Sequence, residues 1–244
     1  MRTPRHQLLA FPNGPSYCGV VSKDYGQFCG LAKAASVLGE RWALLVLRDL
    51  SLGPRRFGDL QKGLPGIPTT VLTTRLRELE EHGIIERQAP PLGRRGLVYA
   101  MTDHGRDLTP ILDALGRWGA RRMADPGTHD VMTSSSLAGA LRSAYRPGVI
   151  PDEVTIRVAA GPVLAWARTT PDGVAVGAGI PDGPIDLTIT TGPAMRHILA
   201  GTLSPSEALA TGALAFDGSR ELFDLFPRAF HVPLDPTIIQ GEST

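Results

Sequence analysis

The stretch Thr69-Thr70-Val71-Leu72-Thr73-Thr74-Arg75-Leu76-Arg77-Glu78-Leu79-Glu80-Glu81-His82-Gly83 decides how this chain is read. Leu72, Leu76 and Leu79 recur at i, i+4 and i+7 and so share one face of a helix. At about 100° per residue, Thr70, Thr74 and Arg77 fall on the opposite face, with Thr69, Thr73 and Arg75 on the flanks. An apolar back with a Thr/Arg front suits the DNA major groove. Arg can fork onto guanine, and Thr can meet a thymine methyl or a phosphate. An ordinary amphipathic helix with a solvated face shares the pattern, so the flanking sequence carries the decision.

Upstream, Gly30 to Leu50 reads as one helical segment whose most buried part is Leu45-Val46-Leu47. Gly53-Pro54 breaks it, a short helix follows around Phe57–Lys62, and Gly63 and Pro65 close that helix. Pro68 then opens the Leu-rich helix, since proline suits a first turn. Helix, break, short helix, turn and helix in this order are the logic of a helix-turn-helix. Downstream, Ile84–Gln88 and Leu97–Met101 read as two strands joined by a turn-rich tip carrying Arg94 and Arg95, a hairpin wing. Thr102-Asp103 supplies an N-cap signal for a helix running to about Met123. Its apolar stripe of Leu108, Ile111, Leu112, Leu115 and Trp118 serves either as core or as a dimer contact.

The chain then changes character. Residues 125–135 read as a linker. A helix over Leu137–Tyr145 precedes β-type runs at Val154–Ala160, Val163–Thr169, Val174–Ala178 and Ile185–Thr191. In the last run, Ile185, Leu187 and Ile189 alternate with Asp186, Thr188 and Thr190, so one face is buried and the other wet. Helices over Pro193–Ala200 and Ser206–Ala210, a strand over Gly212–Asp217 and a helix over Ser219–Phe226 complete the pattern.

Composition agrees with two modules. The 244 residues are 42% hydrophobic and 20% charged, a length natural for two domains. The net charge of +1 hides a split. Residues 1–125 hold 18 Lys/Arg against 12 Asp/Glu, a balance of +6, and residues 126–244 hold 7 against 12, a balance of −5. A basic half joined to an acidic half permits a nucleic-acid binder attached to something else. No apolar run is long enough to span a bilayer, and the N-terminus lacks a charged-then-apolar signal pattern. A cytoplasmic protein with no membrane partner is expected. Two cysteines, Cys18 and Cys29, are too few for a disulfide framework or a thiolate metal site.

Two resemblances emerge. Residues 28–123 resemble the HxlR-type bacterial transcription regulators. The text that carries this is Cys29-Gly30-Leu31-Ala32, Leu38-Gly39-Glu40-Arg41-Trp42 through Leu50, Gly53-Pro54-Arg55-Arg56-Phe57-Gly58-Asp59-Leu60, Leu64-Pro65-Gly66-Ile67, Leu72 through Glu80, and Tyr99-Ala100-Met101-Thr102. The resemblance implies a winged helix-turn-helix dimer. Residues 136–230 resemble the sterol-carrier-protein fold, through Asp186-Leu187-Thr188-Ile189-Thr190, Leu199-Ala200-Gly201, Leu203-Ser204-Pro205 and Ala208 through Gly218. That family implies a twisted sheet covered by helices, with an apolar cavity between the layers.

The expected fold is therefore α+β: a winged helix-turn-helix over residues 28–124, then an α/β sandwich-like module over 136–232 with a sheet of about five strands. An N-terminal arm (1–27), the linker (125–135) and a C-terminal tail (233–244) flank them. The expected function is a dimeric bacterial regulator that binds a pseudo-palindromic duplex operator and senses a hydrophobic small molecule. Phosphate contacts are assigned to Arg55, Arg56, Arg94 and Arg95, with backbone N–H groups near Thr69. Base reading falls to Thr70, Thr73, Thr74 and Arg77, with Arg75 either reading or touching phosphate. Glu78, Glu80 and Glu81 repel phosphate, so the N-terminal half of the helix enters the groove. The ligand-cavity candidates are Val158, Trp166, Val176, Leu187, Ile189, Ile198, Leu199 and Phe223. The resemblance makes Cys29 a candidate oxidant sensor, since a helix N-terminus favours thiolate; a small buried hydrophobe is the alternative.

Catalysis finds little support. The six His residues are scattered, and no His-Glu-x-x-His, P-loop or Gly-x-Ser-x-Gly occurs. No cofactor or metal is expected. Gly177-Ala178-Gly179 is too short for the glycine loop of a small-molecule methyltransferase. A lipid carrier that uses the winged helix only to dimerise is the other alternative.

Overall fold

The computed structural model describes residues 25–90, 96–123, 125–235 and 237. The expected arm and tail fall mostly outside these residues, as do Arg94, Arg95 and Cys18. The chain divides into two compact units, 1–40 and 41–244. In the first, α1 spans Gly30–Leu38 with Ala32 buried.

The second unit opens with α2 (Ala43–Leu50). The expected single helix from Gly30 to Leu50 is thus two helices. Trp42, at the N-cap of α2, has a φ of 80°, a left-handed backbone that a helix cannot pass through. Leu45 is also not part of the core. Ala43, Val46, Leu47 and Leu50 are buried and follow the i, i+3, i+4, i+7 stripe, while Leu44 and Leu45 lie off it and are exposed. Next come α3 (Phe57–Gly63) and α4 (Thr69–Glu81), with Pro68 in extended conformation at the α4 N-cap. The strands β1 (Ile85–Gln88) and β2 (Val98–Met101) pair antiparallel, with Arg87 opposite Tyr99. A bridge from Arg55 to Tyr99 adds the loop before α3 to this sheet.

The expected helix from Thr102 to Met123 is also two. Thr102 caps a single turn, α5 (Asp103–Arg106), by accepting from the Gly105 N–H at 3.0 Å. After a break, α6 spans Thr109–Ala120, with Pro110 in its first turn. Pro110 has no N–H to continue the preceding turn but fits a new helix start.

Residues 134–230 follow the expected order closely. The elements are α7 (Ser134–Ala144), β3 (Thr155–Ala160), β4 (Val163–Thr170), β5 (Gly173–Ala178), β6 (Leu187–Thr191), α8 (Ala194–Ala200), α9 (Pro205–Ala210), β7 (Leu214–Gly218) and α10 (Arg220–Ala229). The sheet order is β5-β4-β3-β6-β7, with β3 and β6 parallel and the other pairs antiparallel. Strand alternation aims Ile156, Val158, Ala165, Ala167, Leu187 and Ile189 at one face, where they form a single core with Leu141 of α7, Ile198 of α8 and Phe223 and Phe226 of α10. The expected boundary at 125–135 lies inside this unit, and α7 packs against α2 and α6 as well as against β4 and β5.

Candidate nucleic-acid interface

The helix α4 is held from behind. Leu72, Leu76 and Leu79 are essentially inaccessible, which fixes the rotation of the helix and turns Thr69, Thr70, Thr73 and Arg77 to solvent. Thr74 is half-buried. The Thr73 hydroxyl donates to the Thr69 carbonyl at 2.8 Å, and that of Thr74 donates to the Thr70 carbonyl at 2.9 Å. Both donors are therefore spent on the preceding turn. What Thr73 and Thr74 offer outward is a methyl group and oxygen lone pairs, which narrows their partners to thymine methyls and to donors. Thr69 Oγ1 accepts from Gln61 Nε2 at 2.8 Å, which ties the start of α4 to α3.

Arginine placement separates residues the sequence treated alike. Arg77 is 65% exposed and held only loosely by Glu81 at 3.7 Å, so it can reach outward. Arg75 is 12% exposed and paired with Glu78 at 2.6 Å, so it lies against its own helix and off the bare front. Arg55 is half-buried, with its backbone paired to Tyr99 and its Nε in the interior. Its charge helps to stabilise ionised Asp49. Arg56 precedes α3, and its guanidinium closely approaches Gly96 at the base of the wing. Gly96 has a φ of 104° there, and a side chain at this position would collide with that group as well as strain the backbone. Wing residue Arg87 covers the Tyr99 ring and pairs with Glu80 at 3.0 Å.

Behind this surface lies a buried polar network that sequence reading missed. Asp49 of α2 is 1% exposed. Burial raises its pKa, against the opposing pull of Arg48, Arg55 and a hydrogen bond from Ser135 of α7. Arg142 of α7 binds Asp113 of α6 at 2.8 Å and the Ser51 hydroxyl at 2.9 Å. One guanidinium thus joins α2, α6 and α7. These pairs are far apart in sequence, and no local pattern announces them.

The helix α6 has its polarity inverted relative to its neighbour. Asp113, Gly116, Arg117 and Ala120, spaced i, i+3, i+4 and i+7, face the body of the protein. Asp113 meets Arg142, Gly116 closely approaches the Ser143 hydroxyl, Arg117 donates to the Ser143 carbonyl and Ala120 packs on the second-half core. Ile111, Leu115 and Trp118 face solvent, with Trp118 69% exposed.

The other candidates fall as follows. Cys29, at the head of α1, has a free thiol and is exposed among the described residues. Of the eight ligand candidates, Val158, Val176, Leu187, Ile189, Ile198, Leu199 and Phe223 are buried within one packed core. Trp166 is half-exposed and lies over Gly177 on the opposite sheet face. Two surface clefts of roughly 330 and 320 Å³ are lined by other residues. Among the described residues no group of His, Cys, Asp and Glu is placed to hold a metal ion, and no helix is long and apolar enough to cross a membrane.

Three helices with a recognition helix last, followed by a two-stranded wing, define a winged helix-turn-helix. The family model for the HxlR-like helix-turn-helix matches residues 37–126. An uncharacterized HTH-type transcriptional regulator of Synechocystis sp. is 41% identical over 97 residues, 40% of this chain and 72% of that protein. Another, from Methanothermobacter thermautotrophicus, is 37% identical over 108 residues, 43% of this chain and 82% of that protein. A solved structure of the reduced form of the transcriptional regulator YodB from Bacillus subtilis matches with 32% identity, 39% of this chain and 94% of that one, at a TM-score of 0.34. The chain belongs to the HxlR-like helix-turn-helix family of DNA-binding transcriptional regulators.

Proposed function

We propose that this protein is a homodimeric regulator that reads base edges with the N-terminal half of α4 and meets a second copy through α6. The observation that carries the reading is the bare Thr69/Thr70/Thr73/Arg77 surface on a helix whose back is fully packed. Arg77 is the guanine-reading candidate, and Thr70, Thr73 and Thr74 approach thymine methyls or donors. Arg56 and the α4 N-terminus, with Arg94 and Arg95 outside the described residues, make the phosphate contacts. Arg55 and Arg75 serve the structure behind that surface. The solvent-facing Ile111/Leu115/Trp118 stripe supports self-association, because α6 gives its polar side to its own chain. A two-fold dimer reads half-sites about one helical turn apart, roughly 34 Å. Footprinting on the DNA upstream of the gene tests this. Two protected half-sites with that spacing are expected; equal affinity for random duplex at every salt concentration overturns it.

The second half supplies the sensing element in this reading. A five-stranded sheet with α7, α8 and α10 on one face supports its likeness to the sterol-carrier-protein fold. A hydrophobic effector lodges between sheet and helices only by parting Leu187, Ile189 and Phe223, which pack within one core. Mass spectrometry of the purified protein's extract decides: a stoichiometric apolar molecule supports the reading, and none removes it. The open thiol of Cys29 supports an oxidant-sensing role, which fails if alkylating it leaves operator affinity unchanged.

A further inference from the structure

The cleft of about 320 Å³ between α6, the end of α7 and the strand-like segment after α10 gathers positive charge. Arg117 enters it from α6 and Arg121 from that helix's C-cap, Arg146 from the turn after α7, and His231 from the segment that follows Phe230. None of the three arginines is ion-paired among the described residues. One Arg117 nitrogen is spent on the Ser143 carbonyl at 3.2 Å, which fixes the side chain and leaves its other N–H groups. Two carboxylates border the cleft: Asp152 acts on Tyr145, and Asp235 has its backbone N–H on the Arg121 carbonyl at 2.7 Å. The Asp235 Oδ1 is engaged by the backbone N–H and hydroxyl of Thr237. Burial lowers the pKa of His231, and Arg146 and Arg196 lower it further. Thr237, with help from Arg121 and Arg122, holds the Asp235 carboxyl down, so Asp235 offsets part of the charge, and the three guanidinium groups leave the cleft net positive. Arg196 itself is turned away, donating to the carbonyls of Ala120, Met123 and Val232.

The remaining lining is apolar. Val232 is buried, and the Tyr145 ring packs against Phe230 with centroids 5.5 Å apart. The segment is anchored at both ends: the His231 N–H donates to the Ala144 carbonyl at 2.8 Å and the Val232 N–H to the Leu199 carbonyl at 2.8 Å. Convergent unpaired arginines above an apolar floor are the arrangement that takes an oxyanion carried on a small apolar body. Arginine recognises a carboxylate by paired, charge-assisted hydrogen bonds, and the volume is at the small end of ligand sites.

We propose that this cleft binds a small organic carboxylate, with Arg121 and Arg146 clamping the carboxylate and Tyr145 and Val232 seating its apolar body. The site stands apart from the DNA-reading surface and from the interior of the second-half core, so it survives or fails independently of both. Because Arg117 lies on α6 and Arg121 caps its C-terminus, an occupied cleft ties the helix that carries the outward apolar stripe to the second half.

Benzoate titrated into the full chain by calorimetry tests the site, with benzyl alcohol and inorganic phosphate as comparisons. Benzoate is expected to bind at least tenfold more tightly than either, since each comparison keeps only the apolar body or only the charge. Arg121→Gln and Arg146→Gln are each expected to weaken benzoate at least tenfold while the ligand-free protein melts no lower than the parent. The His231 ring, followed by NMR, is expected to titrate at higher pH with benzoate bound. Benzyl alcohol or phosphate binding as well as benzoate, or unchanged benzoate affinity in the folded variants, overturns the proposal.

Discussion

The helices α4 and α6 carry equally regular apolar stripes and use them in opposite ways. Leu72, Leu76 and Leu79 of α4 are fully covered by the protein's own residues, whereas Ile111, Leu115 and Trp118 of α6 stand in water. The difference lies on the other side of each helix. The far face of α4 is threonine and arginine, and among the described residues Thr69, Thr70, Thr73 and Arg77 stand exposed there. The far face of α6 is Asp113, Gly116, Arg117 and Ala120: two small residues, an ion-paired aspartate, and an arginine whose guanidinium donates to a carbonyl of α7. A stripe records periodicity; the partner is decided by what the opposite face can tolerate.

The sharpest way to break this comparison is truncation on each stripe. Leu76→Ala empties a fully packed position and is expected to cost about 2–5 kcal/mol, read as a lowered midpoint in urea. A loss below ~1 kcal/mol would place the α4 stripe outside the core. Leu115→Glu combined with Trp118→Glu is expected to leave folding intact yet weaken self-association by about two orders of magnitude, ~2.7 kcal/mol, read by sedimentation. An unchanged oligomeric state removes α6 from the dimer contact. On the bare front, Arg77→Ala is expected to relax preference at a single base pair by about 1–3 kcal/mol, while Arg56→Ala weakens operator and random DNA alike. Equal losses for both variants on both DNAs would erase the division between reading and positioning.

The smallest effect concerns pH. His231 has a folded pKa lowered by burial and by Arg146 and Arg196. The folded state therefore binds fewer protons than the unfolded chain in the window below the ordinary imidazole pKa of about 6.5. Its contribution to stability is full above that value and is lost as pH falls through the folded pKa. His231→Gln is expected to flatten the melting-temperature profile across that window. A profile identical to the parent's would show that the ring is not held in the positive field.

Much of this architecture was legible because it is written locally. Leu72, Leu76 and Leu79 announce α4, Leu187 and Ile189 announce β6, and Pro171-Asp172-Gly173 marks the turn between β4 and β5. Breaks inside apolar runs were harder. Pro110 signalled the start of α6, but the continuous stripe from Leu108 to Trp118 masked it. Leu44 and Leu45 disappear into the run with Val46 and Leu47, although only the latter two fit the buried period. For the candidate interface, the front of α4 followed from helical geometry, but the withdrawal of Arg75 onto Glu78 depends on rotamers. The ties of Ser135 to Asp49 and of Arg142 to Asp113 and Ser51 depend on tertiary neighbours that no spacing rule reveals.

The Arg142 junction has a consequence for dissecting the molecule. Cutting the chain after the winged helix, near residue 126, removes the guanidinium that binds Asp113 and Ser51 and the Ser135 hydroxyl that meets Asp49. It also uncovers Leu52 and Ala120, which pack on the second-half core. The amputated fragment would carry a wet scar where α7 had packed on α2 and α6. A functional fragment of this protein therefore calls for redesign of α2 and α6 as well as scissors.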